Sequence, residues 1–347
     1  MKVTKIFDNI NNNLNHEVLT GACKHQFCGR NLENLVEFAG RICYDSLGVE
    51  KTRGTDDYHK HIIEVNHGSV QEHGNIVVNI YDLNSFELHD AICQCVNRPG
   101  VAIYYKDNDS SDGKSRFTAS VVANLRAIRE WDTFGEVTAT GLSTSRLDVG
   151  VLLKIGAHGS APRTISTTAY SVPENRFTKP HDYTASASVN HDNTTFVSFL
   201  IQGVSRNLTH ELVRHKFQTA ISQRSTRYVD ESTSEIAWHP LLDGQFTFLK
   251  WSSRKLGGLF YKYASRSIRS QLVANGEDLM TAKKQARGAA RGFLPSALST
   301  ELVFTASVAQ WKRIIAMRGH ASSDLEIQQL ADQVRDILYK EGFIDDE

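Results

Sequence analysis

Hydrophobic and polar positions along this chain alternate between a helical and a strand-like period, and the changes of period divide it into blocks. Over residues 31–43, Leu32, Leu35, Val36, Ala39 and Ile42 recur at helical spacing, which predicts an amphipathic helix with one face to pack. A second helix is expected over 57–65. The run HGSVQEH (67–73) follows, and then 75–80 alternates apolar with polar residues, the pattern of a half-buried strand. A histidine-rich turn therefore sits at the mouth of a strand. Residues 84–192 break the rhythm: KDNDSSDGKS (106–115) and HDYTASASVNHDNTT (181–195) are loops by composition. This span is taken as an insertion within one domain covering 1–347, and the helix formers of TASVVANLRAIREW (118–131) predict a helix inside it. From Thr195 the sequence FVSFLI returns to a strand, and Gly203-Val-Ser205 leads into a helix with Ser205 as N-cap. Further helices are expected over 256–274, 280–291, 305–317 and 323–340. Strands first and helices later predict an α+β fold.

Composition narrows the function. Lysine plus arginine number 39 and aspartate plus glutamate 39, so no global field draws the chain to nucleic acid or an anionic membrane, and any anion site must be local. No stretch reaches the roughly 18 apolar residues of a membrane span, and MKVTKIFDNINNNLNHE is too polar for a secretory signal. A cytoplasmic protein is expected. The five cysteines (Cys23, Cys28, Cys43, Cys93, Cys95) are an odd set suited to free thiols. The spacing of Cys23, His25 and Cys28 is a poor match to paired zinc ligands, so no metal is assigned.

Cations concentrate in one place. Between Arg206 and Arg227 lie Arg206, Arg214, Lys216, Arg224 and Arg227 with His210 and His215, against the single acid Glu211. If 206–217 is one helix, Arg206, His210 and Arg214 share a face. Beyond it, Gln223, Ser225, Thr226, Arg227 and Tyr228 add amide, hydroxyl and guanidinium groups, an inventory suited to phosphates and a planar base edge. A solvated basic face would mix lysine with glutamate, and a nucleic-acid surface would interleave aromatics.

The run GVSRNLTHELVRHKFQTAISQRSTRY (203–228) resembles the signature of flavin-dependent thymidylate synthases, an Arg-His-Arg triplet followed by seven residues, a serine and Arg-Tyr. HGSVQEH resembles that family's histidine turn, ARGFLP (290–295) its Ala-Arg-x-x-Leu-Pro element, and MRGHASSDLEI (317–327) its final arginine and Glu-Ile helix. The resemblance implies a thymidylate synthase-complementing-protein-like fold, a central mixed or antiparallel sheet with long helices, in a homotetramer with shared sites. It implies reductive methylation of dUMP to dTMP, with FAD as cofactor and NADPH and methylenetetrahydrofolate as co-substrates. Ser69, Arg214, His215, Lys216, Gln223, Ser307 and Arg313 would contact the cofactor. Glu211, Arg214, Gln223, Arg224, Ser225, Thr226, Arg227, Arg291 and Arg318 would surround dUMP. Arg318 and His67 would be catalytic, Arg318 stabilising charge as uracil N3 ionises.

Three departures stand out. Lys216 replaces the triplet's second arginine, eight residues rather than seven separate Lys216 from Ser225, and Ser307-Val-Ala309 stands where the family has Asn-x-Arg. The first extra residue calls for a bulge or shifted register. Within the insertion, Asn124-Leu-Arg126 resembles the missing element, and TASVVANLRAIREW parallels TASVAQWKRII (305–315). The segment is expected to supply lost contacts or to be a partial duplication. His73, His89 and His320 are assigned to the core. A relative leaving a different C5 substituent, such as hydroxymethyl, and a non-catalytic nucleotide binder are the alternatives.

Overall fold

The computed structural model describes residues 1–10, 13–15, 17–19, 31–47, 54–96, 98–108, 115–138, 149, 153, 163–166 and 191–345; Cys23, His25 and Cys28 lie outside them. The chain opens with strands β1 (Lys2–Asp8) and β2 (Asn13–Leu14), then helices α1 (Asn31–Tyr44) and α2 (Thr55–Glu64). A 3-10 turn, Gly68–His73, leads into β3 (Asn75–Leu83), followed by α3 (Ser85–Cys95), β4 (Val101–Asn108), β5 (Arg116–Asn124), α4 (Leu125–Thr138) and the short β6 (Arg163–Ser166). The one-turn α5 (His191–Thr194) introduces β7 (Phe196–Ser205), α6 (Arg206–Leu212) and β8 (Thr219–Gln223). Two long helices, α7 (Thr247–Ala274) and α8 (Leu279–Ala290), precede β9 (Ser299–Ser307), α9 (Val308–Arg318) and α10 (Leu325–Lys340).

The α+β plan holds, with two sheets where one was expected. Strands order β2-β1-β7-β9-β8 in one, paired antiparallel, and β4-β5-β3-β6 in the other, where only β6 runs parallel to its neighbour. The helix expected over 118–131 is a strand as far as Asn124. Thr118, Val121 and Val122 suit an extended backbone, and β5 is sandwiched between β3 and β4, which fixes it there. Asn124 then accepts a hydrogen bond from the Ala127 N–H at 2.8 Å and starts the helix. The same correction applies at 305–317, where Thr305 to Ser307 finish β9 before α9 begins.

One apolar core joins α1, β3 and β5 to Leu200 and Val303 of the larger sheet. The second surrounds Trp311, whose indole N–H donates to the Val197 carbonyl at 3.0 Å and whose ring meets Phe199 and Phe304. Ser205 caps α6 by accepting from the Leu208 N–H, and the buried Glu326 of α10 accepts from the Ser205 N–H at 2.7 Å, so α10 is locked onto the strand end. Of the three histidines assigned to the core, His73 is buried and meets Thr305 Oγ1 at 2.8 Å, whereas His89 is on the exposed side of α3 and His320 is exposed just after α9.

Candidate functional site

The loop after β8 is pinned from both sides. The Arg224 N–H donates to the Glu301 carbonyl and the Ser225 N–H to the Cys43 carbonyl at the end of α1, each at 3.0 Å. Ser225 Oγ accepts from the Arg227 N–H at 3.3 Å, and the buried Thr226 faces Arg291 at 3.5 Å. Arg227 is exposed and runs beside Gly288 of α8, where a Cβ would sit 3.7 Å from its Nε. From the same helix Lys284 lies 5.0 Å over the Tyr228 ring, and Arg287 donates to the Tyr228 carbonyl. Arg227, Lys284, Arg287 and Arg291 thus gather around one loop whose nearby acid is Asp230. Sequence reasoning missed Lys284 and Arg287; their spacing with Arg291 along one side of α8 was the available signal.

Tyr44 carries the end of α1 to the histidine turn. Its hydroxyl contacts His67 Nδ1, its ring stacks on His67 with centroids 5.9 Å apart, and Tyr228 packs on the other side at 4.6 Å. Desolvation, then the charges of Lys284 and His61, lower the His67 pKa below its ordinary value, while burial raises that of Tyr44.

Arg318 is clamped. Its Nε donates to His215 Nε2 at 3.0 Å, Nη1 to Glu211 Oε2 at 2.9 Å and Nη2 to the Glu211 carbonyl at 3.3 Å. Burial first, and then the Arg318 charge, lower the pKa of His215, so a neutral imidazole accepts the guanidinium. This arrangement exists because α6 stops at Leu212, with Val213 as its C-cap, and the chain turns back on itself. The single helix expected over 206–217 is therefore not formed, and Arg206, His210 and Arg214 do not share a face. Arg206 points inward, donating to the Arg224 carbonyl at 2.6 Å, with its Nε buried and unpartnered. Arg224 is likewise committed to the loop's foundation, pairing with the buried Glu231 at 3.2 Å and with Ser234.

Beyond His215, Lys216 and Phe217 are exposed, and Gln218 adopts a left-handed backbone, φ 48°. That turn absorbs the extra residue of the motif. It is held by Ser307, whose hydroxyl donates to Gln218 Oε1 at 2.9 Å and accepts from the Gln310 N–H. Ser307 is fully buried as the cap of α9. Arg313 lies on the exposed side of α9, in a groove with Arg335 and Tyr339 of α10. Gln223 is held by Thr209 and Thr300 at 3.2 and 3.3 Å.

A cavity of about 390 Å³ opens between the sheets, with Lys216 and Gln218 on one wall and Asn124 and Arg126 on the other. Arg126 is paired to Glu72 at 2.7 Å and to Glu130 at 3.1 Å. It also packs beside Gly68, where a Cβ would come within 3.3 Å of its side chain, so the exposed Ser69 of the histidine turn neighbours the same guanidinium. Val101, Val122 and Phe196 supply the apolar lining. The lining also holds Glu72 and Glu130, which pair with Arg126, so Lys216 is its cation outside those ion pairs, beside the amides of Asn75, Asn124 and Gln218 over an apolar floor. A ligand with a flat ring and an anionic group near Lys216 fits it, and FAD has that chemistry.

Residues 191–341 match the sequence profile of the family described as thymidylate synthase complementing protein. A flavin-dependent thymidylate synthase of Mycobacterium sp. (strain KMS) is 38% identical over 148 residues, covering 39% of this chain and 55% of the relative. That of Mycobacterium tuberculosis (strain ATCC 25177 / H37Ra) is 36% identical over 142 residues, covering 39% and 54%. The chain thus spans about half the length of the relatives it matches. A crystal structure of the Helicobacter pylori flavin-dependent thymidylate synthase, complexed with FAD and dUMP, aligns with a TM-score of 0.28 at 20% identity, covering 43% of this chain and 70% of that one. The similarity to the thymidylate synthase complementing protein family thus lies in residues 191–341.

Proposed function

We propose that the chain is a flavin-dependent thymidylate synthase, converting dUMP to dTMP with methylenetetrahydrofolate and NADPH as co-substrates and FAD as cofactor. The observation that carries this reading is the gathering of Arg227, Lys284, Arg287 and Arg291 around the Ser225–Thr226 turn, in a chain whose net charge is zero. Such a bowl suits a nucleotide phosphate, with Ser225 and Thr226 hydroxyls beside guanidinium donors. Gln223 stands at its edge, fixed by two threonines, to meet the base. Arg318, immobilised by Glu211 and His215, offers a preorganised positive charge for a pyrimidine that loses its N3 proton, and little reorganisation is then needed as charge develops. His67, whose desolvation favours the neutral ring, lies beside the Tyr44 hydroxyl at the mouth of β3. FAD, when bound, supplies the redox and one-carbon transfer chemistry that these side chains cannot. Arg214, His215 and Lys216 would hold it.

The proposed assembly is a homotetramer, supported by α7. One side of that helix buries Gly257, Gly258 and Tyr261, while the opposite side exposes Phe248, Leu256, Leu259 and Tyr263, the first and last at 73% and 75%. A second apolar stripe of this kind marks an association surface. Among the described residues no helix is long and apolar enough to cross a membrane, and Cys43, Cys93 and Cys95 are free thiols, which supports a cytoplasmic setting. Anaerobic absorption spectroscopy tests the enzyme reading. A band near about 450 nm that bleaches with NADPH, followed by dTMP formation from dUMP and methylenetetrahydrofolate, supports it. A hydroxymethyl product would select the related enzyme, and a protein that cannot be loaded with FAD would leave the non-catalytic binder.

A further inference from the structure

We infer that residues 68–138 and 191–318 are two copies of one structural unit, and that the cavity between them is a single cofactor site built by both copies of the same chain. The inference rests on the flavoprotein reading above and deepens it.

The equivalence is one of register. In the first unit β5 lies between β3 and β4; in the second β9 lies between β7 and β8, every pair antiparallel. Asn75 pairs with Asn124 and Phe196 with Ser307, and from there each ladder runs in step. Both first strands then shift register next to a left-handed residue, Asp82 (φ 60°) and Gly203 (φ 69°), and both end at a helix N-cap, Asn84 and Ser205. Both last strands also run into a helix through a cap, Asn124 and Ser307. The N–H after each cap, of Leu125 and of Val308, donates at 2.8 Å to the carbonyl preceding the first strand, of Gly74 and of Thr195. The turn before each second strand is left-handed as well, at Gly100 (φ 76°) and Gln218. Shared fold class does not require five such coincidences at matched positions. The parallel drawn from TASV in the two segments is displaced by four residues: the structure equates Asn124 with Ser307, hence Val122 with Thr305.

The cavity is lined by equivalent positions of the two units, Asn75 with Phe196 and Gly100 with Gln218. It is therefore central to the pair, but its charges are not symmetric. On one side Arg126 of the first unit faces Lys216 of the second. The mirror combination would be Ala309 with Arg98. Ala309 carries no charge, and Arg98 is turned away, its guanidinium over the Trp131 ring at 3.9 Å and bonded to the Trp131 carbonyl. One of two possible sites survives, so Ser307 and Ala309 are the vacated half of a duplicated pair, and Asn124 and Arg126 are the retained half. The ligand class is a pyrophosphate-bearing dinucleotide with a flat ring system, and the stoichiometry is one per chain.

The test is fluorescence titration of the apo full-length protein with FAD, with ADP as second probe, alongside a thermal melt of each variant. Expected are one FAD per chain, a loss of FAD affinity of at least about tenfold in Arg126→Gln and in Lys216→Gln, partial rescue by Arg126→Lys, and no change in the surface control Arg116→Gln. Asn124→Ala, which also removes the α4 cap, is interpreted only if its melt stays within a few degrees of the parent. Two FAD per chain, or wild-type affinity in a folded Arg126→Gln, overturns the composite site. If the parent binds no FAD, the flavoprotein reading fails, and ADP decides the cavity separately: weakening by both Arg126→Gln and Lys216→Gln sustains a two-unit pyrophosphate site, and no ADP binding removes it.

Discussion

The two strand–helix units share a backbone and differ in what their strand ends carry. In the first, β4 ends in Lys106, Asp107 and Asn108, and only a short connection leads to β5. In the second, the corresponding places after β8 hold Arg224, Ser225 and Thr226, and α7 and α8 intervene before β9, bringing Lys284, Arg287 and Arg291 over the loop. Register, bulge and caps are common property, because they satisfy backbone hydrogen bonds that any such unit must make. The anion bowl belongs to one unit alone, because it needs the inserted helices. A fold can thus be duplicated while its side chains are divided: the basic cluster proposed for the nucleotide in one copy, and the histidine turn with Arg126 in the other.

Several substitutions would break or sharpen that division. The largest effect is expected in the packing. Trp311 and Ile128 occupy matched places in α9 and α4, both buried, and Trp311→Ala should cost about 3–5 kcal/mol, more than Ile128→Ala, since it also loses the Val197 bond and two aromatic neighbours. Urea denaturation measures both, and an equal or reversed order would mean that the two cores are not comparable in weight. Next comes Arg318, whose counterpart position in the first unit is Gly135. Arg318→Ala should lower kcat for dTMP formation by about 10²–10³-fold, on the scale of removing one preorganised donor, with the fold intact by circular dichroism. A variant with undiminished kcat would remove Arg318 from catalysis.

A smaller effect should follow at the phosphate bowl. Arg227→Ala is expected to raise KM for dUMP by about 10–100-fold, the range of one charge-assisted hydrogen bond of about 1.5–3 kcal/mol, whereas Lys106→Ala at the end of β4 should leave it alone. Steady-state kinetics in dUMP separates the two units directly. The mildest effect near neutrality is a pH dependence. Burial lowers the His73 pKa to about 3, so the neutral ring favours the folded state. That stabilisation is fully present above the unfolded value of about 6.5 and is lost as pH falls from there toward 3. His215, lowered in the same direction, acts with it. Melting temperatures should fall below about pH 6.5, and His73→Gln should flatten the curve; a flat parent curve would mean that neither ring is held neutral.

Much of the proposed site was legible in the sequence because its candidate residues are local there. Ser225, Thr226 and Arg227 are adjacent, and the Arg318 segment follows a recognisable helix. The placements of Ser307, Arg224 and Arg313 were not legible for one reason: spacing shows which residues stand near a motif but not which way a side chain turns, and Ser307 caps a helix, Arg224 pairs with a buried glutamate and Arg313 lines a groove with α10. The break of α6 at Leu212 was equally hidden, since 206–217 has acceptable helical periodicity and the turn is held by distant residues, Arg318 on Glu211 and His215 and Ser307 on Gln218.

The amino-acid sequence by itself determined the zero net charge with a local basic excess, the helix of α1, the histidine turn before a strand, the Ser205 cap and the motifs of the C-terminal segment, since each depends on neighbours within a few positions. The tertiary structure decided that Thr118 to Asn124 is strand, that Lys284 and Arg287 join the bowl, and that two units face one another across a shared cavity. Those outcomes rest on ladder hydrogen bonds and burial between residues far apart in the chain, which no local periodicity encodes.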